Sequence, residues 1–134
     1  MDRNAMKTIL LVGEDRHILA SRAWLMEKIG GKLTCCQAAE FPGCLQQQCF
    51  DLIVLCHTLD ASSKTSITEE IRRLCPESRI LLVIRENHPA SAEGFDIDAY
   101  TGALHPAKLM QTAIALLAMP APPPHHPRSP SSPR

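Results

Sequence analysis

Asp51-Leu52-Ile53-Val54-Leu55-Cys56-His57-Thr58-Leu59-Asp60 decides how the rest of the chain is read. Its four uninterrupted apolar residues, Leu52 to Leu55, are bounded by polar ones and predict a strand over 51–56 covered on both faces, as in the middle of a parallel sheet. Open sheets of that kind carry their sites at the carboxyl ends of the strands, which makes Cys56 and His57 the first candidates for chemistry.

Similar runs recur on either side. Residues 7–12 predict a first strand and 79–84 a fourth, apolar throughout from Ile80. After the first, Gly13-Glu14-Asp15 forms a turn. Glu14 or Asp15 can cap the following helix, because a carboxylate there meets unpaired N–H groups and the positive end of the dipole. In that helix, over 16–29, Ile18, Leu19, Trp24, Leu25 and Ile29 recur at three-to-four spacing and predict the buried stripe, with Arg16, Arg22, Glu27 and Lys28 outside it. Gly30-Gly31 ends it. Residues 32–37 predict a short polar strand suited to a sheet edge. Residues 38–48 predict a helix that takes Pro42 in its first turn, with Cys44, Leu45 and Cys49 on its inner side. A third helix over 64–74 turns Ile67, Ile71 and Leu74 inward and stops at Cys75-Pro76. Residues 85–93 contain Pro89 and have almost no apolar periodicity. Residues 94–101 lead into a fifth strand, and 106–119 form the last helix, with Leu109, Ala113, Leu116 and Leu117 inward.

Strands alternating with helices imply right-handed crossovers onto one parallel sheet covered on both faces. Five such units in about 115 residues predict an α/β, flavodoxin-like three-layer sandwich with strand order 2-1-3-4-5. The division is 1–5 as a lead-in without structure, 6–119 as the domain, and 120–134 as a tail or linker stub. That tail holds seven prolines and three serines and has nothing to bury. His125 and His126 within it are expected to do nothing specific.

The 134 residues carry fourteen basic and fourteen acidic side chains. Setting aside Arg128 and Arg134 leaves twelve basic residues against fourteen acids, so the domain offers no electrostatic case for nucleic acid. No apolar run approaches the roughly 18 to 20 residues needed to span a membrane. The six cysteines include no Cys-x-x-Cys pair, and no histidine lies at zinc-finger spacing, so no structural metal is expected. They read as reduced cytoplasmic thiols, mostly small buried hydrophobes. Cys35 and Cys36 are neighbours on a strand, so at most one is buried against helices.

Several pieces in order resemble a known family. Lys7-Thr8-Ile9-Leu10-Leu11-Val12 with Gly13-Glu14-Asp15, then 51–56, then Ile80 to Ile84, then Leu104-His105-Pro106-Ala107-Lys108-Leu109 resemble the receiver domain of bacterial response regulators in phosphorelay signalling. The resemblance covers 6 to about 119. It implies that the phosphoacceptor aspartate maps to Cys56 and the metal-holding acid pair to Gly13 and Glu14. The switch hydroxyl maps to Ile84 and the cation expected at the end of strand five to Gly102, or to Ala103 one place on. It also implies a fourth crossover about four residues short, roughly one helical turn. A thiol cannot replace a carboxylate that both accepts phosphoryl and ligates magnesium, and Glu14 beside a thiol is a poor cage for that hard ion.

The resemblance therefore implies a pseudo-receiver: not an enzyme, without cofactor, acting by protein contact. The contact face it implies is the fourth crossover, strand five and the last helix, with Arg85, Tyr100 and Leu104 as candidate interface residues. Tyr100 has no hydroxyl partner at Ile84 to report on and is expected to hold one rotamer. For the altered site three readings stay open. Cys56 seals the space of the lost carboxylate; or it is a redox or nucleophilic thiol activated by His57; or it binds a soft metal with His57 or Glu14. The second requires His57 to leave the strand, since adjacent strand residues face opposite sides. A flavin or nucleotide is disfavoured because Gly13-Glu14-Asp15 places acids where a phosphate would sit. Trp24 is expected in the core.

Overall fold

The computed structural model describes residues 7–85, 92 and 94–119. Its centre is three strands with almost no exposed surface: β1 (Thr8–Val12), β3 (Leu52–Leu55) and β4 (Arg79–Ile84). With β2 (Lys32–Cys36) and β5 (Ala99–Gly102) they form one parallel sheet of order β2-β1-β3-β4-β5. The expected three-layer α/β sandwich and its strand order are thus present. β2 is the more exposed edge, as its polar composition predicts.

Alternation along the strands divides the core. Ile9, Leu11, Leu52, Val54, Leu81 and Val83 face α1 (Arg16–Met26) and α4 (Pro106–Ala118), which contribute Leu19, Met26, Leu109, Ala113, Leu116 and Leu117. Leu10, Val12, Ile53, Leu55, Ile80 and Leu82 face α2 (Phe41–Gln47) and α3 (Ala61–Leu74), through Phe41, Leu45, Ile67 and Ile71. The registers Val12↔Cys36, Val12↔Leu55, Leu55↔Leu82 and Ile84↔Gly102 bring the strands' carboxyl ends to one edge of the sheet. Loop residues extend the ladder there: Cys56 N–H donates to Val12 O at 2.8 Å and Ala103 N–H to Ile84 O at 2.8 Å.

The helix ends follow the local chemistry. Asp15 Oδ1 accepts from the N–H groups of His17 and Ile18, at 2.9 and 3.2 Å, which fixes where α1 starts. Its last turn tightens over Glu27–Ile29, and Gly30 ends it at φ 93°, a conformation that favours glycine. Asp60 caps α3 through Ser63 N–H at 2.7 Å, so that helix begins three residues before the expected 64. The second helix is split, with a tight turn over Ala38–Glu40 leading into α2, and Pro42 sits in the first turn of α2.

Four expectations need correction. Trp24 is not core: it is 65 % exposed. The inward stripe of α1 is Leu19, Arg22 and Met26, a rotation that turns Trp24 out and brings Arg22 in. Leu74 is 39 % exposed, and Lys64 and Thr68 take the inner positions of α3 beside Ile67 and Ile71. The cysteines are not all free thiols, because Cys49 and Cys75 form a disulfide with Cα atoms 5.6 Å apart, joining the loop before β3 to the end of α3. Most of the fourth crossover, with its expected shortening, lies outside the described residues, as do the lead-in and the tail.

Candidate functional site

The sheet's carboxyl edge brings Gly13, Cys56, His57, Ile84 and Gly102 to the same end of neighbouring strands. Cys56 is 0 % exposed and belongs to the α1/α4 side of the core. It packs on Gly13: a Cβ there would lie 3.0 Å from Cys56 Cβ, 3.3 Å from its Sγ and 3.2 Å from Thr58 Oγ1. A side chain at position 13 would therefore press on Cys56 and Thr58, which would have to give by a few tenths of an ångström.

Both nearby acids are occupied by backbone. Glu14 Oε2 accepts from Ala38 N–H at 3.0 Å, and its own N–H donates to Thr58 Oγ1 at 2.9 Å. Asp15 is the cap of α1. The Glu14 carboxylate is thereby held on the turn that precedes α2. Ile84 is buried, and Gly102 is partly exposed.

The residue that sequence reasoning missed is Arg22. It is 8 % exposed, and its Nη2 lies 3.3 Å from His57 Nδ1. Arginine has no acceptor to offer, so Nδ1 is the acceptor and the neutral imidazole carries its proton on Nε2. Nη1 of the same guanidinium is buried without a hydrogen-bond partner among the described residues, an arrangement that costs about 1–3 kcal/mol for a buried donor. The available signal was spacing: Arg22 sits three residues after Leu19 and four before Met26, the two most buried apolar residues of α1.

Burial raises the Cys56 pKa above its ordinary value; Arg22, by charge and hydrogen bonding, works against that, and Cys35 adds slightly to it. A buried thiol with a raised pKa is a poor nucleophile. His57 has left the strand for a turn, but its ring meets Arg22. Its pKa is lowered first by burial and then by Arg22, Arg85 and Lys64, with Asp15 opposing. Lys64 is also lowered, by burial and then by Arg85, against Asp60. Arg22, Arg85 and Lys64 thus act together on His57, against Asp15.

A pH titration of the histidine ring signals checks this. His57 is expected to protonate below the ordinary value near 6.5, and Arg22→Met is expected to move its midpoint upward. Because the folded value is the lowered one, His57 contributes stability above the unfolded value, and that contribution is lost as pH falls towards the folded one. A midpoint at or above the ordinary value in the wild type would contradict this account.

The other cysteines show the predicted alternation. Cys36 is buried and Cys35 exposed. The Cys36 pKa is raised by burial and then by Cys44, and that of Cys35 by burial and then by Glu27. Among the described residues no group of three or more His, Cys, Asp or Glu side chains is placed to hold a metal ion. Among them, too, no helix is long and apolar enough to cross a membrane.

Of the candidate interface residues, Arg85 is exposed, Tyr100 is 50 % exposed and Leu104 is 73 % exposed. Beside Arg22 and His57 a groove of about 920 Å³ opens between α1 and the start of α4, walled by Ile18, Trp24, Leu25, Leu104 and Leu109.

No protein-family model matches the sequence, and no curated protein matches it. Solved structures do. A CheY-like response regulator receiver domain protein from Methanospirillum hungatei JF-1 superposes with a TM-score of 0.70 at 22 % identity, over 84 % of this chain and 94 % of that one. The receiver domain of a sensor histidine kinase from Pseudomonas aeruginosa PAO1, with magnesium coordinated in its active-site cleft, gives 0.73 at 16 %, over 86 % and 100 %. The chemotaxis protein CheY4 of Vibrio cholerae gives 0.72 at 16 %, over 84 % and 99 %. The fold is that of the receiver domains of response regulators.

Proposed function

We propose that this chain is a pseudo-receiver: a signalling domain with the receiver fold that works through protein contact, without an aspartyl-phosphate switch. The observation that carries this reading is the packing of Cys56 on Gly13. Where the resemblance calls for a phosphoacceptor and one of two metal-holding acids, there is a fully buried thiol and a glycine against which that thiol packs closely.

Magnesium does not fit the donors at these positions. The ion wants several oxygen ligands in octahedral array. Glu14 already spends one carboxylate oxygen on Ala38 N–H, Gly13 offers no side chain, and sulfur is a soft ligand. Arg22 and Lys64 add positive charge where a divalent ion would have to enter. Ile84 has no hydroxyl to offer a phosphoryl oxygen, and Gly102 brings no cation.

Contact is assigned to the face made by the fourth crossover, β5 and α4, where Tyr100 and Arg85 are exposed. The partner is a protein or a second copy of the chain; neither nucleic acid nor membrane enters this reading. The thiol-based alternative finds no support in a Cys56 that is wholly covered and has a raised pKa.

Adding beryllofluoride with magnesium, or acetyl phosphate with magnesium, is expected to leave the amide spectrum unchanged. A saturable shift centred on Glu14 and Cys56 would overturn the proposal. For the contact face, sedimentation at micromolar concentration should reveal self-association that Tyr100→Ala weakens, or a monomer whose defined protein partner is lost with that variant.

A further inference from the structure

The groove between α1 and the start of α4 has a floor unlike its walls. The walls are aliphatic and aromatic, with Trp24 and Leu104 on an open rim, whereas the floor is Arg22 with His57. Among the described residues no acidic side chain lines it. The nearest acid acting on His57, Asp15, already serves as the cap of α1. Arg22 is more than nine-tenths buried, its Nη1 lacks an acceptor among the described residues, and the groups it does meet, the His57 ring nitrogen at 3.3 Å and the Cys56 thiol, are both neutral.

A guanidinium matches a carboxylate edge to edge through two parallel N–H···O bonds, far better than it matches one imidazole nitrogen. Apolar clefts of several hundred cubic ångströms with a few convergent polar groups are the usual form of a small-molecule site. We propose that this groove binds a small carboxylic acid with an aliphatic body, its carboxylate on the Arg22 guanidinium and its body lying between Trp24 and Leu25 on one side and Leu104 and Leu109 on the other. The ligand takes the Nη2 edge from His57. His57 can yield it because its ring lies in a turn and its hydrogen bond to Arg22 is the contact to be exchanged. The inference is independent of the pseudo-receiver reading, since it uses no phosphoryl-site position.

Trp24 is the sole tryptophan and reports directly on the groove. Titrating the protein with decanoate below its micellar range is expected to give a saturable change in tryptophan emission. Decanol, with the same body and no charge, should bind roughly tenfold more weakly or worse. Arg22→Met should bring decanoate down to the decanol level with the far-UV circular dichroism unchanged. Leu104→Ser, on the rim, should weaken both ligands while keeping their ratio; that variant decides the matter if Arg22→Met does not fold. Equal affinity for decanoate and decanol would overturn the proposal, as would the absence of saturation. So would binding of a peptide ending in a free carboxylate where decanoate is silent.

Discussion

Cys49→Ser is expected to lower the free energy of unfolding by about 3 kcal/mol, with a fall in melting temperature on the order of 10 °C for a domain of this size. The disulfide it removes joins residues 26 apart in sequence, and the loop it closes contains all of β3 and α3. Closing such a loop withdraws conformational freedom from the unfolded chain, and the effect grows slowly with loop length. Serine at position 49 disturbs little else, because that residue is exposed. Cys75 stays behind as a buried thiol, tolerated as a small hydrophobe. The control is reduction: dithiothreitol should lower the wild-type transition by the same amount and leave that of Cys49→Ser unmoved. A wild-type transition indifferent to reductant would refute the account. The result also bears on compartment, since a reducing environment would open the bond and remove that margin.

This disulfide marks one limit of what the sequence carries. Cysteine parity says nothing about which pairs meet, and a contact between residues 49 and 75 exists only once β3 and α3 have packed. The central sheet was legible because Leu52 to Leu55 and Ile80 to Ile84 are apolar without interruption, which admits few alternatives to strands buried on both faces. β2 was legible for the opposite reason, as a short polar run suited to an edge, and once it is a strand Cys35 and Cys36 face opposite sides, one out and one in.

The site was harder to read, and α1 shows why. With its last tight turn it carries apolar residues on most of its faces, at 18, 19, 24, 25, 26 and 29, so spacing alone does not choose which stripe turns inward. The choice is made by α4 and by the end of β3, where Cys56 and His57 leave room for a long flat cation. Counting Arg22 as polar rotated the helix the wrong way, took Trp24 into the core, and hid both the guanidinium beneath His57 and the groove above it. Likewise the glycine at position 13 reads as a missing acid in the sequence, while its contact with Cys56 shows that the two residues constrain each other.

That mutual constraint predicts the outcome of Cys56→Asp, which places an acid where the resemblance calls for one. The variant is expected to lose about 2–4 kcal/mol of stability and to gain no phosphoryl chemistry. A carboxylate at position 56 would be fully covered, is larger than the thiol it replaces, and has to find its room beside Gly13 and Thr58. Among the described residues the compensating group is Arg22, whose Nη1 can take the new charge as a partner. Arg22 and residue 56 should therefore be energetically coupled. Arg22→Met alone is expected to be close to neutral, because it removes an unsatisfied buried donor along with the charge. Combined with Cys56→Asp it should add roughly 1–3 kcal/mol of destabilisation, by stranding the carboxylate. Urea unfolding of the four proteins measures the coupling, and additivity would remove Arg22 from the account. A Cys56→Asp protein as stable as the wild type, and phosphorylated by acetyl phosphate with magnesium, would show that one substitution is enough to reopen the pocket. On the pseudo-receiver reading, Glu14 held by Ala38, the absence of a side chain at Gly13 and of a hydroxyl at Ile84 are three further changes that would keep this edge of the sheet from accepting phosphate.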